Sequence, residues 1–225
     1  MTDFELRERV RSSTYYHLAR LFELPDTFLV EEQVFGRLAT ALEAVNPAAA
    51  GHAAELARAW DEEGRERVRR DHLKLFVGPE QLLAPPYGSI YLDGQREVLG
   101  PSTMDAARLY REAGLQKAED LKDAPDHVRV ELDFMHTAIE RTLSAIDAGD
   151  FAWAERLVEI QVTFLQQHLS RWVVPFGKVI RTGAATAYHR HLADLLEAVV
   201  KQEYLEDAPA MLEEFRGLRA EAGSA

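Results

Sequence analysis

Apolar residues recur every three or four positions along almost the whole chain, and no stretch alternates strictly for long enough to argue a sheet. The pattern predicts an all-α protein. Residues 4–23 set Leu6, Val10, Leu18, Leu21 and Phe22 at helical intervals, closed by Pro25-Asp26, and a second helix is expected over 27–45 before Asn46-Pro47 breaks the chain. Residues 49–77 carry Leu56, Trp60, Val68, Leu73, Phe76 and Val77 among dense Arg and Glu, with Gly64 placed to bend or divide the helix. Residues 78–102 differ in kind, because four prolines and four glycines stand between two helical regions. An ordered loop is expected there, since Leu82, Leu83, Tyr87, Ile90, Tyr91 and Leu92 are too apolar for disorder. Asp93-Gly94 would suit a short β-like reversal.

The helical rhythm resumes at Ser102 or Thr103 and runs to Gly114. A polar connector over 116–124 reads as a hinge. From Pro125 to Ala148 the residues Val128, Leu132, Met135, Ile139, Leu143 and Ile146 keep the clearest periodicity in the chain, and Gly149-Asp150 ends it. A partner helix follows over 151–171, a shorter one after Trp172 and Pro175, and another over 185–204, while the acidic tail from 206 is expected to fray. The economical architecture is a compact multi-helix bundle within one domain, in two helical parts: 1–118, including the 78–102 loop, and 119–225.

Composition narrows the function classes. Among 225 residues, 47% are hydrophobic and 28% charged, as expected of a folded, water-soluble chain. Lys and Arg total 26 against 38 Asp and Glu, so the formal net charge of -12 repels nucleic acid and favours a cationic partner. The absence of cysteine removes thiolate catalysis and Cys-based metal centres. The amino terminus lacks the apolar run of a secretory signal, and no run of about 18 apolar residues exists to cross a membrane, so residence in the cytoplasm is the expectation.

Catalytic machinery is hard to find. Gly88-Ser89 lacks the second glycine of a nucleophile elbow, and Gly177-Lys178 lacks the rest of a phosphate loop. No enzymatic role is expected. His127 and Glu131 share a helix face, but His136 points elsewhere, so they make no metal set, and none is expected. Asp126 reads as a first-turn acid of the helix that Pro125 opens, with Asp123 as its N-cap, and Tyr87 and Tyr91 read as lids over the core.

Four segments in one order carry a resemblance: Leu73 to Pro79; Ala84-Pro85-Pro86-Tyr87-Gly88-Ser89-Ile90-Tyr91-Leu92; Pro125-Asp126-His127-Val128 ahead of Glu131-Leu132-Asp133-Phe134-Met135; and Phe164 to Pro175. Together they resemble the TorD/DmsD family of redox-enzyme maturation chaperones. The resemblance implies an all-α fold in two helical parts, sometimes exchanged between subunits, so a monomer or a domain-swapped dimer. It implies binding of the twin-arginine leader and apo form of an oxidoreductase that carries a molybdenum cofactor, with no cofactor of the chaperone's own beyond weak guanine nucleotide binding in some relatives. Matched positions that would line the leader groove are Leu75, Phe76, Pro86, Tyr87, Gly100, Asp126 and His127. Some relatives carry tryptophan where His72, Glu80 and Tyr87 stand. Physically, two guanidinium groups ahead of an apolar segment call for carboxylates beside a hydrophobic trough. Asp126 and Glu131 would supply the first, and Leu75, Phe76, Pro86 and Tyr87 the second, with Tyr91 beside them. The alternatives are a guanine nucleotide hydrolase and an assembly subunit that stays with the oxidoreductase.

Overall fold

A computed structural model describes residues 2–78, 82–94, 99–116 and 122–222. Among them every regular element is helical, and the only β-type pairing is one antiparallel bridge between Tyr87 and His127. The helices are α1 (Asp3–Leu21), α2 (Phe28–Glu31), α3 (Val34–Leu42), α4 (Pro47–Glu63), α5 (Arg65–His72), α6 (Gly88–Leu92), α7 (Pro101–Glu112), α8 (Val128–Asp147), α9 (Phe151–Phe164), α10 (Ser170–Gly183), α11 (Ala187–Gln202) and α12 (Ala208–Ala222). α5 runs on into a π-helical turn over Leu73–Val77, and similar turns at Leu165–Leu169 and Glu203–Asp207 join α9 to α10 and α11 to α12.

Helix starts follow local chemistry. Thr2 and Glu5 form a capping box, with the Glu5 backbone N–H donating to Thr2 Oγ1 at 3.2 Å. Asn46 caps α4 ahead of Pro47, and Asp150 caps α9 by accepting from the Trp153 backbone N–H at 3.0 Å. The core then crosses the chain. α1 packs along α8 and α4 along α11, so residues on both sides of the 116–124 stretch enter one continuous hydrophobic cluster. Val128, Leu132, Met135, Ile139 and Leu143, the periodic face of α8, are all buried in it.

Several local expectations are corrected. The helix foreseen over 27–45 is split at Gln33, whose φ of 55° no helix accommodates. Leu6 is exposed, because the first half of α1 turns Glu8, Arg11 and Ser12 inward instead. No break occurs at Pro175, which lies inside α10. There the burial of Trp172, Val173 and Phe176 outweighs the roughly 3 kcal/mol that an interior proline costs. The acidic tail does not fray at 206: α12 buries Met211 and Phe215, and Phe215 meets Phe4 edge-on at 5.5 Å. The 78–102 segment carries the short helix α6 within the expected loop; Asp93-Gly94 forms a bend, with Gly94 at φ 66°, and residues 95–98 lie outside the described residues, as does most of the proposed hinge.

Candidate functional site

The proline-rich segment is tied to the start of α8 by backbone bonds on both sides of the Tyr87–His127 bridge. The Gly88 N–H donates to the Asp126 carbonyl at 2.8 Å, and the Val128 N–H to the Pro86 carbonyl at 2.9 Å. The rings of Tyr87 and His127 meet edge-on at 5.2 Å. An open cleft of about 440 Å³ lies in front of them, walled by Phe22, Phe76, Val77, Leu82 and Tyr87 and floored by His72 and His127. Its charged lining is Glu23, Asp123 and Arg129. Arg129 donates to Asp123 Oδ2 at 3.0 Å and stands 3.7 Å from Glu23 Oε1, so a guanidinium already sits between two carboxylates at this spot.

Not every residue expected to line a groove does so. Phe76, Tyr87 and His127 line the cleft. Leu75, one position away, is fully buried in the core, and Pro86 is buried behind the bridge. Tyr91 stacks on Trp172 at 5.7 Å and donates its hydroxyl to the Pro85 carbonyl at 2.9 Å, so it holds the loop's shape. Gly100 is the N-cap of α7, where a Cβ would collide with the Asp93 carboxylate that accepts from Ser102.

Asp126 is not a first-turn acid of α8. It precedes that helix, is fully buried, and accepts the Ser89 backbone N–H at 2.9 Å, at the start of α6. It therefore anchors the loop rather than lining an acidic rim. Glu131 is also fully buried, and its Oε2 accepts from Trp172 Nε1 at 2.9 Å. Burial pushes its carboxyl well above the usual range, and the neighbouring Asp126 adds to that against the pull of Trp172. Glu131 is a core acid favouring its neutral form, not an anionic end for a ligand. Gly88 suits this packing: a Cβ there would lie 3.1 Å from Trp172 Nε1 and 3.3 Å from Glu131 Oε1, tighter than ordinary contact, so those side chains would have to give by a few tenths of an ångström.

His127, not Asp123, caps α8: its Nδ1 accepts the Arg129 backbone N–H at 3.1 Å, which requires an unprotonated Nδ1. Burial lowers its pKa to about 4, with Arg129 lowering it further while Asp123 and Asp126 oppose the shift. Beside it in the cleft floor, His72 is likewise pushed down, first by burial and then by His189 and His127. His189 leans on Asp71, which also accepts from Thr186 Oγ1 at 2.6 Å. Sequence reasoning missed Glu23, Phe22 and Arg129 as cleft residues. They come from the end of α1 and the first turn of α8, and only the tertiary fold brings them together.

A depressed folded pKa means that His127 stabilises the fold fully above about pH 6.5 and loses that contribution as pH falls toward 4. Chemical denaturation of the wild type and of His127→Asn, which keeps a capping oxygen, should show the wild type losing up to about 3 kcal/mol more than the variant across that window. Parallel curves would contradict the burial of a neutral imidazole here.

A family profile described as "Nitrate reductase delta subunit" matches residues 42–177, more than half of the chain. The chain belongs to that family. Curated relatives of this nitrate reductase delta subunit family member are TorD and DmsD chaperones, in agreement with the motif resemblance. "Chaperone protein TorD" of Aliivibrio salmonicida is 25% identical over 144 residues, covering 62% of this chain and 66% of the relative. "Tat proofreading chaperone DmsD" of Salmonella typhi is 27% identical over 125 residues, covering 56% and 58%. The matched stretch thus spans 66% and 58% of these two relatives' length, less than two thirds of either. A crystal structure of a candidate redox enzyme maturation protein from Archaeoglobus fulgidus superposes with a TM-score of 0.51 at 20% identity, covering 87% of this chain and 94% of that one, a likeness of fold. The family match includes the cleft wall from His72 to Arg129, but not Phe22 or Glu23.

Proposed function

We propose that this protein is a non-enzymatic cytoplasmic maturation chaperone whose cleft binds the twin-arginine leader of a redox enzyme carrying a molybdenum cofactor, before that enzyme is exported. The observation that carries the reading is the cleft itself: an aromatic wall of Phe22, Phe76 and Tyr87 beside Asp123 and Glu23, which already hold one guanidinium. A leader offers the same chemistry, cationic planes followed by an apolar helix-forming segment. The acidic balance of the chain would speed encounter with such a peptide. No helix among the described residues is long and apolar enough to cross a membrane, which suits this reading. The chaperone itself needs no cofactor for the step.

Calorimetric titration with a synthetic leader should give a Kd of about micromolar or tighter, weakened when both arginines are replaced by glutamine. No heat with any twin-arginine leader would sink the proposal. Arg129→Gln removes the cation that now pairs with both acids, and solvent-accessible, partly buried pairs of this kind are worth on the order of 1 kcal/mol, so a several-fold gain in affinity is expected. Asp123→Asn should act in the opposite direction.

The family's description favours one second reading, an assembly subunit that remains with a mature oxidoreductase. Stable co-purification with an assembled, cofactor-loaded enzyme would select it. Recovery with the leader-bearing apoenzyme alone selects the chaperone.

A further inference from the structure

The packing of α4 on α11 carries a feature to which none of the cleft residues contributes. His52 on α4 faces His191 on α11, with ring centroids 5.9 Å apart and planes inclined by 38°. Asp194, one turn along α11, completes a group in which one imidazole nitrogen from each histidine and one carboxylate oxygen lie within 4.8 Å of one another. His191 and Asp194 are spaced i, i+3, and so are His52 and Glu55, so each facing helix projects a histidine and an acid into the same space. Glu55 Oε2 stands 3.9 Å from His191 Nε2. The other nitrogen of that ring, Nδ1, is buried with no hydrogen-bond partner among the described residues. Arg181 donates to Asp194 Oδ1 at 3.0 Å and so fixes the carboxylate from outside, as an outer partner of a ligand does.

We propose that His52, His191 and Asp194 form a binding site for one first-row divalent cation, with Glu55 at its edge. Two imidazoles and a carboxylate are a borderline donor set that suits zinc and its neighbours and disfavours magnesium and calcium. Bonds of about 2.0–2.1 Å in tetrahedral geometry require donor atoms about 3.3 Å apart. Half-buried side chains reach that spacing by small rotations, since the three residues retain partial solvent access. The bound ion would join α4 to α11, and hence the amino-terminal helices to the carboxy-terminal ones.

The test is a competitive titration of zinc against a chromogenic chelator, using the tag-free full chain. One equivalent per chain is expected. His52→Ala and His191→Ala should each weaken binding by more than the roughly 10–100-fold typical of losing an outer partner, and His17→Ala should leave it unchanged. Zinc should also raise the Tm of the wild type but not of His191→Ala or the milder His52→Asn. No stoichiometric zinc in the wild type would overturn the site, and so would His52 and His191 variants that bind as the wild type does.

Discussion

Replacing Trp172 with alanine is expected to lower stability by about 3–5 kcal/mol and to loosen the loop that walls the cleft. The indole is fully buried, stacks on Tyr91 at 5.7 Å, meets Phe176 at 5.2 Å, and donates to Glu131. Truncation leaves a large hole and strips a buried acid of its donor. Glu131→Gln is the informative contrast. The amide keeps an acceptor for the indole N–H and replaces a carboxyl already pushed toward its neutral form, so its effect should stay within about 1 kcal/mol. Urea denaturation measures both, and proteolysis within residues 82–94 should accelerate in Trp172→Ala alone. A Glu131→Gln penalty as large as the tryptophan's would mean that the acid is ionised and paired, contrary to its burial.

Arg11→Met should be about as damaging, for an electrostatic reason. Arg11 donates to Glu203 at 2.8 and 2.9 Å and to Glu8 at 2.6 Å, and all three side chains are nearly excluded from solvent. Tyr15 adds a hydroxyl bond to Glu203 at 3.3 Å. Losing the cation leaves two buried carboxylates facing each other, a loss of about 3–5 kcal/mol and roughly 10 °C in Tm for a chain of this size. Burial already pushes Glu8 up against the pull of Arg11, so without Arg11 that acid should take up a proton on folding. A folded pKa raised in this way contributes stability at low pH that vanishes as pH rises. The deficit of Arg11→Met should therefore be larger at about pH 8 than at about pH 5. Replacing Glu8, Arg11 and Glu203 together with apolar residues should recover much of the loss.

Much of this architecture is legible in the sequence because it is local. The face of α8 from Val128 to Leu143 announces its burial by spacing, and Asn46-Pro47 and Asp150 mark helix starts by capping chemistry alone. What escapes is decided by partners far along the chain. Gln33 carries no signal of the left-handed conformation that splits α2 from α3. Pro175 should end a helix and does not, because the core around Trp172 overrides it. Asp126 and Glu131 look like exposed acids until Ser89 and Trp172 are seen to cover them. The motifs brought the loop and the start of α8 together correctly, with Tyr87 against His127. The charge at the cleft came instead from Asp123 and Glu23.

The most direct test of the account is a photo-crosslinking map. A twin-arginine leader bearing a benzophenone side chain directly after the arginine pair is irradiated on the full chain, and the labelled peptides are read by mass spectrometry. Attachment at Phe76, Tyr87 or the Asp123–Arg129 stretch, competed away by unlabelled leader, is the expected result. Specific, competable attachment confined to residues outside that cleft would contradict it.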